Sequence, residues 1–230
     1  PPPSLPPTAP SAPAGPRRPR WTPWAVLVSL VSVLLVTLVW LAGRHEVSQV
    51  QGKLDRDAAA AAADIRTGLA HRAQSLQALQ AQRPTPGEWT HDAQQLLREH
   101  REILRIEWRD AKLAPLAMVD SPYRPPVFAR LGRSLAQADV HLACVQAQRM
   151  SQPAYSGSYF LPQADGIGIE VMDLCVPQIT AGAPEGYVVA TYGLGEILAS
   201  LVGPQLTRNQ EVSFNEADGT RLALHGLAQR

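Results

Sequence analysis

The sequence predicts an α+β fold: an apolar transmembrane helix and a long helical stalk precede an antiparallel sheet with helices packed on it. Two of the observations behind this prediction come from the first third of the chain. A charge-free apolar run is followed by a polar segment whose apolar residues recur at steps of three and four. The third is that strand-like segments separated by proline, glycine and aspartate turns follow from residue 103 onward. Helices first and strands afterwards are typical of α+β proteins.

Composition excludes several classes of function. The formal net charge of the 230 residues is +1, and basic residues are mixed with acidic ones, so no nucleic-acid partner is expected. The two cysteines are too few for a disulfide scaffold or a tetrahedral zinc site, and we predict no metal site.

Residues 21–43 are predicted to form a membrane-spanning helix. The run from Trp24 to Gly43 has no charge and is long enough to cross a hydrocarbon layer of about 30 Å. Trp21 and Trp40 stand near its two ends, where indole rings favour the interface. The alternatives are a buried core helix and a cleaved signal peptide. A signal peptide has a shorter apolar part, of about 7–15 residues, so we predict a retained anchor.

The flanking charges predict the orientation of this helix. Residues 1–20 are rich in proline and are expected to be a disordered tail. Arg17, Arg18 and Arg20 precede the apolar run, whereas Arg44 stands nearly alone beyond it. By the positive-inside rule the tail is cytoplasmic and the rest extracytoplasmic, which in a Gram-negative cell means an inner-membrane protein with a periplasmic domain.

Residues 44–82 are predicted to form the helical stalk. Its apolar residues form one narrow stripe. The stripe consists of Val47, Val50, Leu54, Ala58, Ala61, Ile65, Leu69, Leu76 and Leu79. The stripe is compatible with a helix that lies along its own domain or with a parallel contact in a homodimer, and we favour the dimer. Prolines at 84 and 86 end the helix.

Residues 83–230 are predicted to form the globular domain. A helix is expected over Glu88–Glu102 and a half-buried strand over Ile103–Asp110, where apolar and charged residues alternate. Prolines then bracket an irregular connection, and Val127–Met150 is predicted to be helical.

The remainder of the chain is strand-like. Strands are predicted at 154–161, 167–179 and 187–192, with turns at 162–166 and 181–186, and a short helix at 194–201. A last hairpin pairs 211–216 with 220–224 around Asp218-Gly219, a strong hairpin signal. The layout is therefore helices on one face of a sheet of three to five antiparallel strands.

In this order the segments resemble the extracytoplasmic PAS-like (Cache-type) sensor regions of bacterial transmembrane histidine kinases, and most of all the C4-dicarboxylate-sensing kinases. The resemblance spans about residues 21 to 225 behind one membrane anchor. Its segments are Ile106-Glu107-Trp108-Arg109-Asp110, Pro153-Ala154-Tyr155-Ser156, Gly186-Tyr187-Val188-Val189-Ala190-Thr191-Tyr192 and the Asp218-Gly219 hairpin.

The resemblance implies a small organic acid, such as a C4-dicarboxylate, bound between the sheet and its covering helices and loops. Such a ligand needs cationic and hydroxyl donors that converge. Arg149 is the predicted source of charge, and Arg105 or Arg109 is a second candidate. The candidate hydroxyl donors are Tyr155, Ser156, Ser158, Tyr159 and Tyr192.

The resemblance also implies a kinase outside this chain. No phosphoacceptor histidine motif or ATP-lid glycines are present here, so the chain itself is expected to be non-catalytic, with no cofactor. ATP and a response regulator would be partners of the kinase part alone. The alternatives are a chemoreceptor, a cyclic-dinucleotide enzyme, or a scaffold whose proline tail recruits a partner.

The sequence alone leaves open whether Cys144 and Cys175 are bonded to each other. They form one disulfide in an oxidising periplasm, or remain two free buried cysteines.

Overall fold

The computed structural model describes residues 21–81, 84–129, 132–163, 168–180, 182–208 and 210–226. The predicted tail, residues 1–20, lies outside this range, as does part of the predicted turn at 162–166. The chain divides into two compact units, Pro1–Asp55 and Arg56–Arg230.

The first helix, α1, extends over Thr22–Ala81. Its segment Trp24–Leu41 has a mean hydropathy of 2.5 and none of it is buried. Within the described residues it is the one helical segment long and apolar enough to cross a membrane. The outward-facing apolar side chains are those expected of a helix that has lipid around it.

The apolar stripe of α1 is divided between two environments. From Ala61 onward it joins the largest core cluster, with Ile65 and Leu76 buried against the globular domain. Val50 and Leu54 are 57% and 48% exposed. The second half of the predicted stalk therefore lies along its own domain, which is one of the two arrangements compatible with the stripe.

The second helix, α2 (Pro86–Glu99), begins with a capping box. The backbone N–H of Glu88 donates to Thr85 Oγ1 at 3.4 Å, and the Thr85 N–H donates to Glu88 Oε2 at 2.9 Å. These bonds satisfy two amide groups that a helix start leaves unpaired. The apolar side of α2, which includes Trp89 and Leu97, is buried in the same core as α1.

A five-stranded antiparallel sheet forms the centre of the second unit. Its strands are β1 (Ile103–Asp110), β2 (Pro115–Asp120), β3 (Ala154–Pro162), β4 (Gly168–Thr180) and β5 (Ala183–Gly193). Their order in the sheet is β2-β1-β5-β4-β3, so β5, the last of these five in sequence, is the middle strand. The predicted α+β class is confirmed, and the architecture is consistent with a PAS/Cache-like fold.

Two local predictions were wrong. The connection after Asp110 was predicted to be irregular, but it contains β2, which pairs with β1 at the sheet edge. A proline is tolerated there because Pro115 is the first residue of an edge strand.

The helix predicted from Val127 is α3 (Gln137–Met150), which begins after a 3-10 turn at Arg133–Ala136. Gly132 has φ of +67°, a left-handed conformation that interrupts a helix. The preceding Val127 and Phe128 are buried against the sheet instead. The connection thus covers one face of the sheet, where it can carry side chains of a binding site.

The two faces of the sheet have different covers. One, the α1 face, consists of residues such as Ile106, Leu174 and Ala190, packed against α1 and α2. The other, the α3 face, carries Val189 and Cys175 beneath α3. Helices thus cover both faces, whereas the sequence predicted them on one.

The C-terminal elements extend the α1 face. The predicted Asp218-Gly219 hairpin is present as a separate two-stranded sheet, with Gly219 at φ of +90°. Val212 and Leu222 of this hairpin pack on the α1-face core. The elements are α4 (Leu194–Leu201), α5 (Pro204–Thr207), β6 (Glu211–Asn215) and β7 (Arg221–Gly226).

A disulfide joins Cys144 of α3 to Cys175 of β4. It lies within the α3-face core beside Ala147 and Val189. Because it ties α3 directly to the sheet, it limits how far the cover of this face can move.

Candidate functional site

Strand β1 places three charged side chains on the α3 face. Arg105, Glu107 and Arg109 alternate with apolar residues, so the strand period of two directs them to the same side. They are only 8%, 1% and 4% exposed. Charges are rarely buried to this degree without partners, because desolvation disfavours the ionised form.

Glu107 is the shared partner of these arginines. Its Oε2 accepts from Arg109 Nε at 2.8 Å and from Arg109 Nη2 at 2.6 Å. Arg109 Nη1 donates to the carbonyl of Leu113 at 2.8 Å. Arg109 is thereby held at both ends of its guanidinium group, which is typical of a fixed structural charge.

Asp173 of β4 forms a second centre on the same face, and it is fully buried. Its Oδ1 accepts from Thr191 Oγ1 at 2.6 Å and from Arg133 Nη2 at 2.8 Å, and its Oδ2 accepts from Tyr159 Oη at 2.7 Å. Arg133 Nη1 also donates to the Tyr159 hydroxyl at 2.9 Å. The carboxylate is therefore paired through three neighbouring groups from three different elements.

Arg133 connects the two centres from above the sheet. It lies in the 3-10 turn, and its guanidinium group stacks on the Phe128 ring at 4.4 Å. Burial opposes its charge, but the Asp173 and Glu107 carboxylates outweigh burial and raise the pKa of Arg133. Burial and the Asp173 charge likewise raise the pKa of Tyr159, so its hydroxyl remains protonated and can donate. We call Arg105, Glu107, Arg109, Arg133, Tyr159, Asp173 and Thr191 the charged cluster.

The rim of the charged cluster is formed by β2. Arg105 Nη1 lies 3.4 Å from Asp120 Oδ1, and its Nη2 approaches Met118 Sδ at 2.6 Å. Burial raises the pKa of Asp120, the Arg105 charge lowers it, and the net shift is upward. The side chain of Asp120 is 26% exposed, so the charged cluster comes into reach of water at this rim.

Three polar atoms at the centre of the cluster are buried and lack a hydrogen-bond partner among the described residues. They are Arg105 Nε, Arg133 Nε and Glu107 Oε1. Glu107 Oε1 lies 2.8 Å from Arg105 Nε and 3.4 Å from Arg133 Nε, but outside hydrogen-bonding direction. Two N–H donors and one acceptor therefore converge on one point without directed bonds, which is costly for buried groups.

The structure brings some of the sequence-predicted residues together. Tyr159 and Arg109 belong to the charged cluster, and Arg105 lies between them and β2. Ser156 lies at its border, where its hydroxyl accepts from the Asp173 backbone N–H at 2.8 Å.

The other predicted residues lie elsewhere. Arg149 is exposed in the last turn of α3, and Ser158 is half-buried on β3. Tyr155 pairs with Leu174, and Tyr192 is fully buried in the α1-face core. The structure does not bring these residues into the charged cluster.

Sequence reasoning missed Glu107, Arg133, Asp173 and Thr191. The available signal was Asp173, a single carboxylate within the apolar run 171–176 of β4. Arg133 gave no signal because its segment was predicted to be an ordinary helix. Neighbours on adjacent strands, such as Asp173 and Thr191, are paired by register, which the sequence did not reveal.

Two surface clefts lie away from the charged cluster. One of about 650 Å³ lies between α1 and α2, beside Leu79 and His91. The other, of about 190 Å³, is lined by Gln80 and Thr180 among others. Neither is lined by a cluster residue. Among the described residues no group of histidine, cysteine and acidic side chains could hold a metal ion.

No protein-family model and no curated protein matches this chain. Among solved structures it is similar to the ligand-binding domain of the Pseudomonas aeruginosa PAO1 amino acid chemoreceptor PctC, in complex with GABA. That match has 18% identity, covers 76% of this chain and 74% of that chain, and has a TM-score of 0.49.

Two further matches are of the same kind. The Pseudomonas fluorescens chemoreceptor CtaA domain with L-serine is 16% identical, over 76% of this chain and 72% of that chain, at a TM-score of 0.46. The P. aeruginosa PctB domain with L-Arg is 18% identical, over 69% and 64%, also at 0.46. All three matched structures are ligand-binding domains of Pseudomonas chemoreceptors.

Proposed function

We propose that this chain is the extracytoplasmic sensory region of a membrane-anchored receptor, and that its charged cluster binds a small organic acid. The observation that carries the proposal is the pair of buried donors Arg105 Nε and Arg133 Nε, which are ion-paired with Glu107 Oε1 but make no directed hydrogen bond to any described residue. A carboxylate supplies two acceptor oxygens and matches guanidinium geometry.

The charges of the cluster favour an anionic ligand. Among the described residues, the guanidinium groups of Arg105, Arg109 and Arg133 face the buried carboxylates of Glu107 and Asp173. Asp120 contributes a third carboxylate only from the partly exposed rim. One more carboxylate at the centre therefore compensates a buried positive charge, which offsets its own desolvation.

The free acceptor at the centre favours a ligand that also carries a donor. Glu107 Oε1 is ion-paired with Arg105 Nε and Arg133 Nε but accepts no directed hydrogen bond from any described residue. A hydroxyl or ammonium group next to the ligand carboxylate would donate to this oxygen. We therefore refine the expected C4-dicarboxylate to a C4 acid with such a substituent.

A matched series of C4 acids tests this proposal. Succinate, L-malate and L-aspartate share one carbon skeleton and differ in hydrogen, hydroxyl or ammonium at one carbon. We expect titration calorimetry on the full chain in lipid nanodiscs to show L-malate or L-aspartate binding about 10-fold more tightly than succinate, the effect of one net hydrogen bond. Binding of none of the three rejects the C4-acid proposal.

Two arginine variants locate the binding site. Arg133→Ala and the milder Arg133→Lys should weaken binding, because Lys keeps the charge but not the planar donors. Arg149→Ala, an exposed arginine near the same face, is the matched control and should bind like the parent chain. The reverse result would return the site to the end of α3, where the sequence analysis placed its charge.

The membrane orientation is part of the proposal. The segment Trp24–Leu41 is the anchor, and the basic flank Arg17, Arg18 and Arg20 is proposed to be cytoplasmic. A periplasmic reporter fused after residue 226 should be active. Moving the three arginines to the other side of the anchor should silence it.

A homodimer through the first part of the stripe also remains a proposal. Val50 and Leu54 are exposed on α1, whereas the later part of the stripe is covered by its own domain. We expect Val50→Cys to form an intermolecular crosslink in membranes. Failure at this position and at Leu54→Cys would contradict a parallel contact here.

For the output, we propose a histidine kinase, supported by the sequence resemblance alone. The coding sequence that follows Arg230 discriminates: a second membrane span and a phosphoacceptor helix support a kinase with a response regulator. A methyl-accepting or cyclic-dinucleotide module instead would retain the sensory role but change the output. A chain that ends there would favour the tethered scaffold.

A further inference from the structure

A second buried polar group lies on the opposite face of the sheet, where helix α1 is packed. Glu102, which directly precedes β1, has a side chain only 2% exposed. Its Oε1 accepts from Arg72 Nε of α1 at 2.7 Å, and the Arg72 side chain is 19% exposed. Among the described residues this is the one ion pair that joins α1 to the rest of the chain.

The Tyr192 hydroxyl is buried on the same face and has no hydrogen-bond partner among the described residues. Tyr192 is fully buried on β5 and pairs across the sheet with Ile103, the neighbour of Glu102. Burial raises the pKa of Tyr192 well above its usual value, and the Glu102 charge raises it further. The hydroxyl is therefore a protonated donor that makes no hydrogen bond to any described residue, within the electrostatic range of the Glu102 carboxylate.

The backbone links this group to the charged cluster. Thr191 bonds Asp173 on the α3 face, and the next residue, Tyr192, projects to the α1 face because successive strand residues point to opposite sides. The N–H of Gly193 donates to the carbonyl of Glu102 at 3.1 Å. The end of β5 is therefore bonded both to Asp173 on the α3 face and to the backbone of Glu102 at the start of β1.

We propose that ligand occupancy of the charged cluster is passed to α1 by an exchange at Glu102: in one state the carboxylate pairs with Arg72, and in the other it accepts from the Tyr192 hydroxyl. The proposal rests on the proposed function, since it assigns a regulatory consequence to that site. Its two states differ by which donor Glu102 accepts from. A bistable contact of this kind is what coupling between distant sites requires.

The direction of the effect follows from the contacts. An acid bound at the centre of the cluster accepts hydrogen bonds from Arg133 that Thr191 and Asp173 accept without ligand. The loss of these bonds releases the end of β5. Tyr192 then reaches Glu102, and Arg72 loses its partner. We expect the amides of α1 near Arg72 to exchange faster with ligand, by about 5-fold, the lower end of ordinary coupling.

The test is hydrogen exchange of residues 66–81 in the full chain in nanodiscs, with and without L-malate, on two phenylalanine variants. Tyr192→Phe removes the donor of the second state and retains the Arg72–Glu102 pair, so its α1 exchange should not respond to L-malate. Tyr187→Phe is the matched control on the same strand; its hydroxyl faces Gln148 on the other face, and it should respond like the parent chain. A Tyr192→Phe chain that still responds overturns the proposal.

The outcomes separate this proposal from the proposed function. If calorimetry shows that L-malate binds but the hydrogen exchange of α1 does not change, the proposed exchange at Glu102 is wrong and the proposed sensory role still stands. If L-malate does not bind, Asp173→Asn serves as the trigger without ligand, because it weakens the hold on Arg133 and Thr191. Asp173→Asn should then increase the hydrogen-exchange rate of α1 in the parent chain but not in the Tyr192→Phe chain. An unchanged rate in both chains would contradict the proposed exchange at Glu102 independently of ligand binding.

Discussion

The two faces of the five-stranded sheet are made by the same strands, yet one is almost entirely apolar and the other is centred on charge. On the α1 face, Ile106, Leu174 and Ala190 are buried among helices and a hairpin. On the α3 face, the neighbouring Glu107, Asp173 and Thr191 are just as deeply buried, at 1%, 0% and 0% exposure. Burial is equal, but the chemistry is opposite.

The two faces therefore stabilise the fold to different extents. Apolar contacts on the α1 face lower the free energy of folding in proportion to the area buried. A buried ionic group contributes little net stability, and apolar residues of similar size often serve as well. The charged cluster between two apolar groups on the α3 face therefore adds less stability than its burial suggests, which supports the binding role proposed above.

The largest expected effect comes from removing one charge from the α3 face. Glu107→Ala leaves the guanidinium groups of Arg105 and Arg109 buried without their shared carboxylate, and we expect a loss of about 4 kcal/mol in the free energy of unfolding. Leu174→Ala on the α1 face should cost about 3 kcal/mol through a cavity. Both are measured by urea denaturation.

The two losses should respond differently to added anion. Acetate can replace the missing carboxylate of Glu107→Ala and restore part of its stability, whereas it cannot fill the cavity of Leu174→Ala. Equal insensitivity of both variants to acetate would mean that the two faces differ less than their residues suggest.

The disulfide gives the next effect, on the cover of the α3 face. Cys144 and Cys175 are 31 residues apart, so loss of the bond in Cys144→Ser/Cys175→Ser should cost about 3.5 kcal/mol by loop-closure entropy. A reductant should lower the stability of the parent chain by a similar amount and leave the double variant unchanged. If the reductant has no effect on the parent chain, the two thiols are not bonded in the protein as isolated.

Two reciprocal substitutions on β5 compare the faces directly. Thr191→Val removes a hydroxyl that donates to Asp173 on the α3 face, and we expect a loss of about 1–2 kcal/mol and weaker acid binding. Val188→Thr places a hydroxyl on the apolar α1 face and should cost about 1–3 kcal/mol without reducing affinity. An equal loss of ligand affinity in both would contradict the division of labour between the faces.

The smallest expected effect is a pH dependence at the edge of the α1 face. Burial first, and then the Arg72 charge, lower the pKa of His100 below its ordinary 6.5, against the Glu102 carboxylate 3.8 Å away. The folded state thus resists protonation, so the stability from this group is present above pH 6.5 and is lost as pH falls through the lowered pKa. Thermal unfolding of His100→Asn should depend less on pH below neutrality than that of the parent chain. An identical pH profile would mean that His100 is freely solvated.

The sequence predicted the parts of this fold that repeat a local pattern. The alternation in β1 and the Asp218-Gly219 turn were sufficient to predict a strand and a hairpin, because period and turn chemistry are local properties. Strand β2 was missed because Pro115 argues against a strand except at an edge, and edge position is a tertiary property.

The site was harder to predict for the same reason. Arg133 and Asp173 are 40 residues apart and meet only through the fold. Arg149, chosen because it stands near Tyr155 in sequence, is instead exposed at the end of α3. Proximity along the chain does not reveal register across strands, and a binding role for Arg149 stays a prediction.

The central position of β5 also determines the order in which the protein can assemble during synthesis. Strand β1 pairs with β5, so the sheet contains contacts between residues about 80 positions apart, such as Trp108 with Val188. Contacts this distant in sequence form late and slow the folding of a domain. While the ribosome is still making residues 111–182, the charged side of β1 has no partner from β5 and can remain hydrated. We therefore expect the arginines and the glutamate of the cluster to keep the nascent β1–β2 hairpin soluble until β5 has been made.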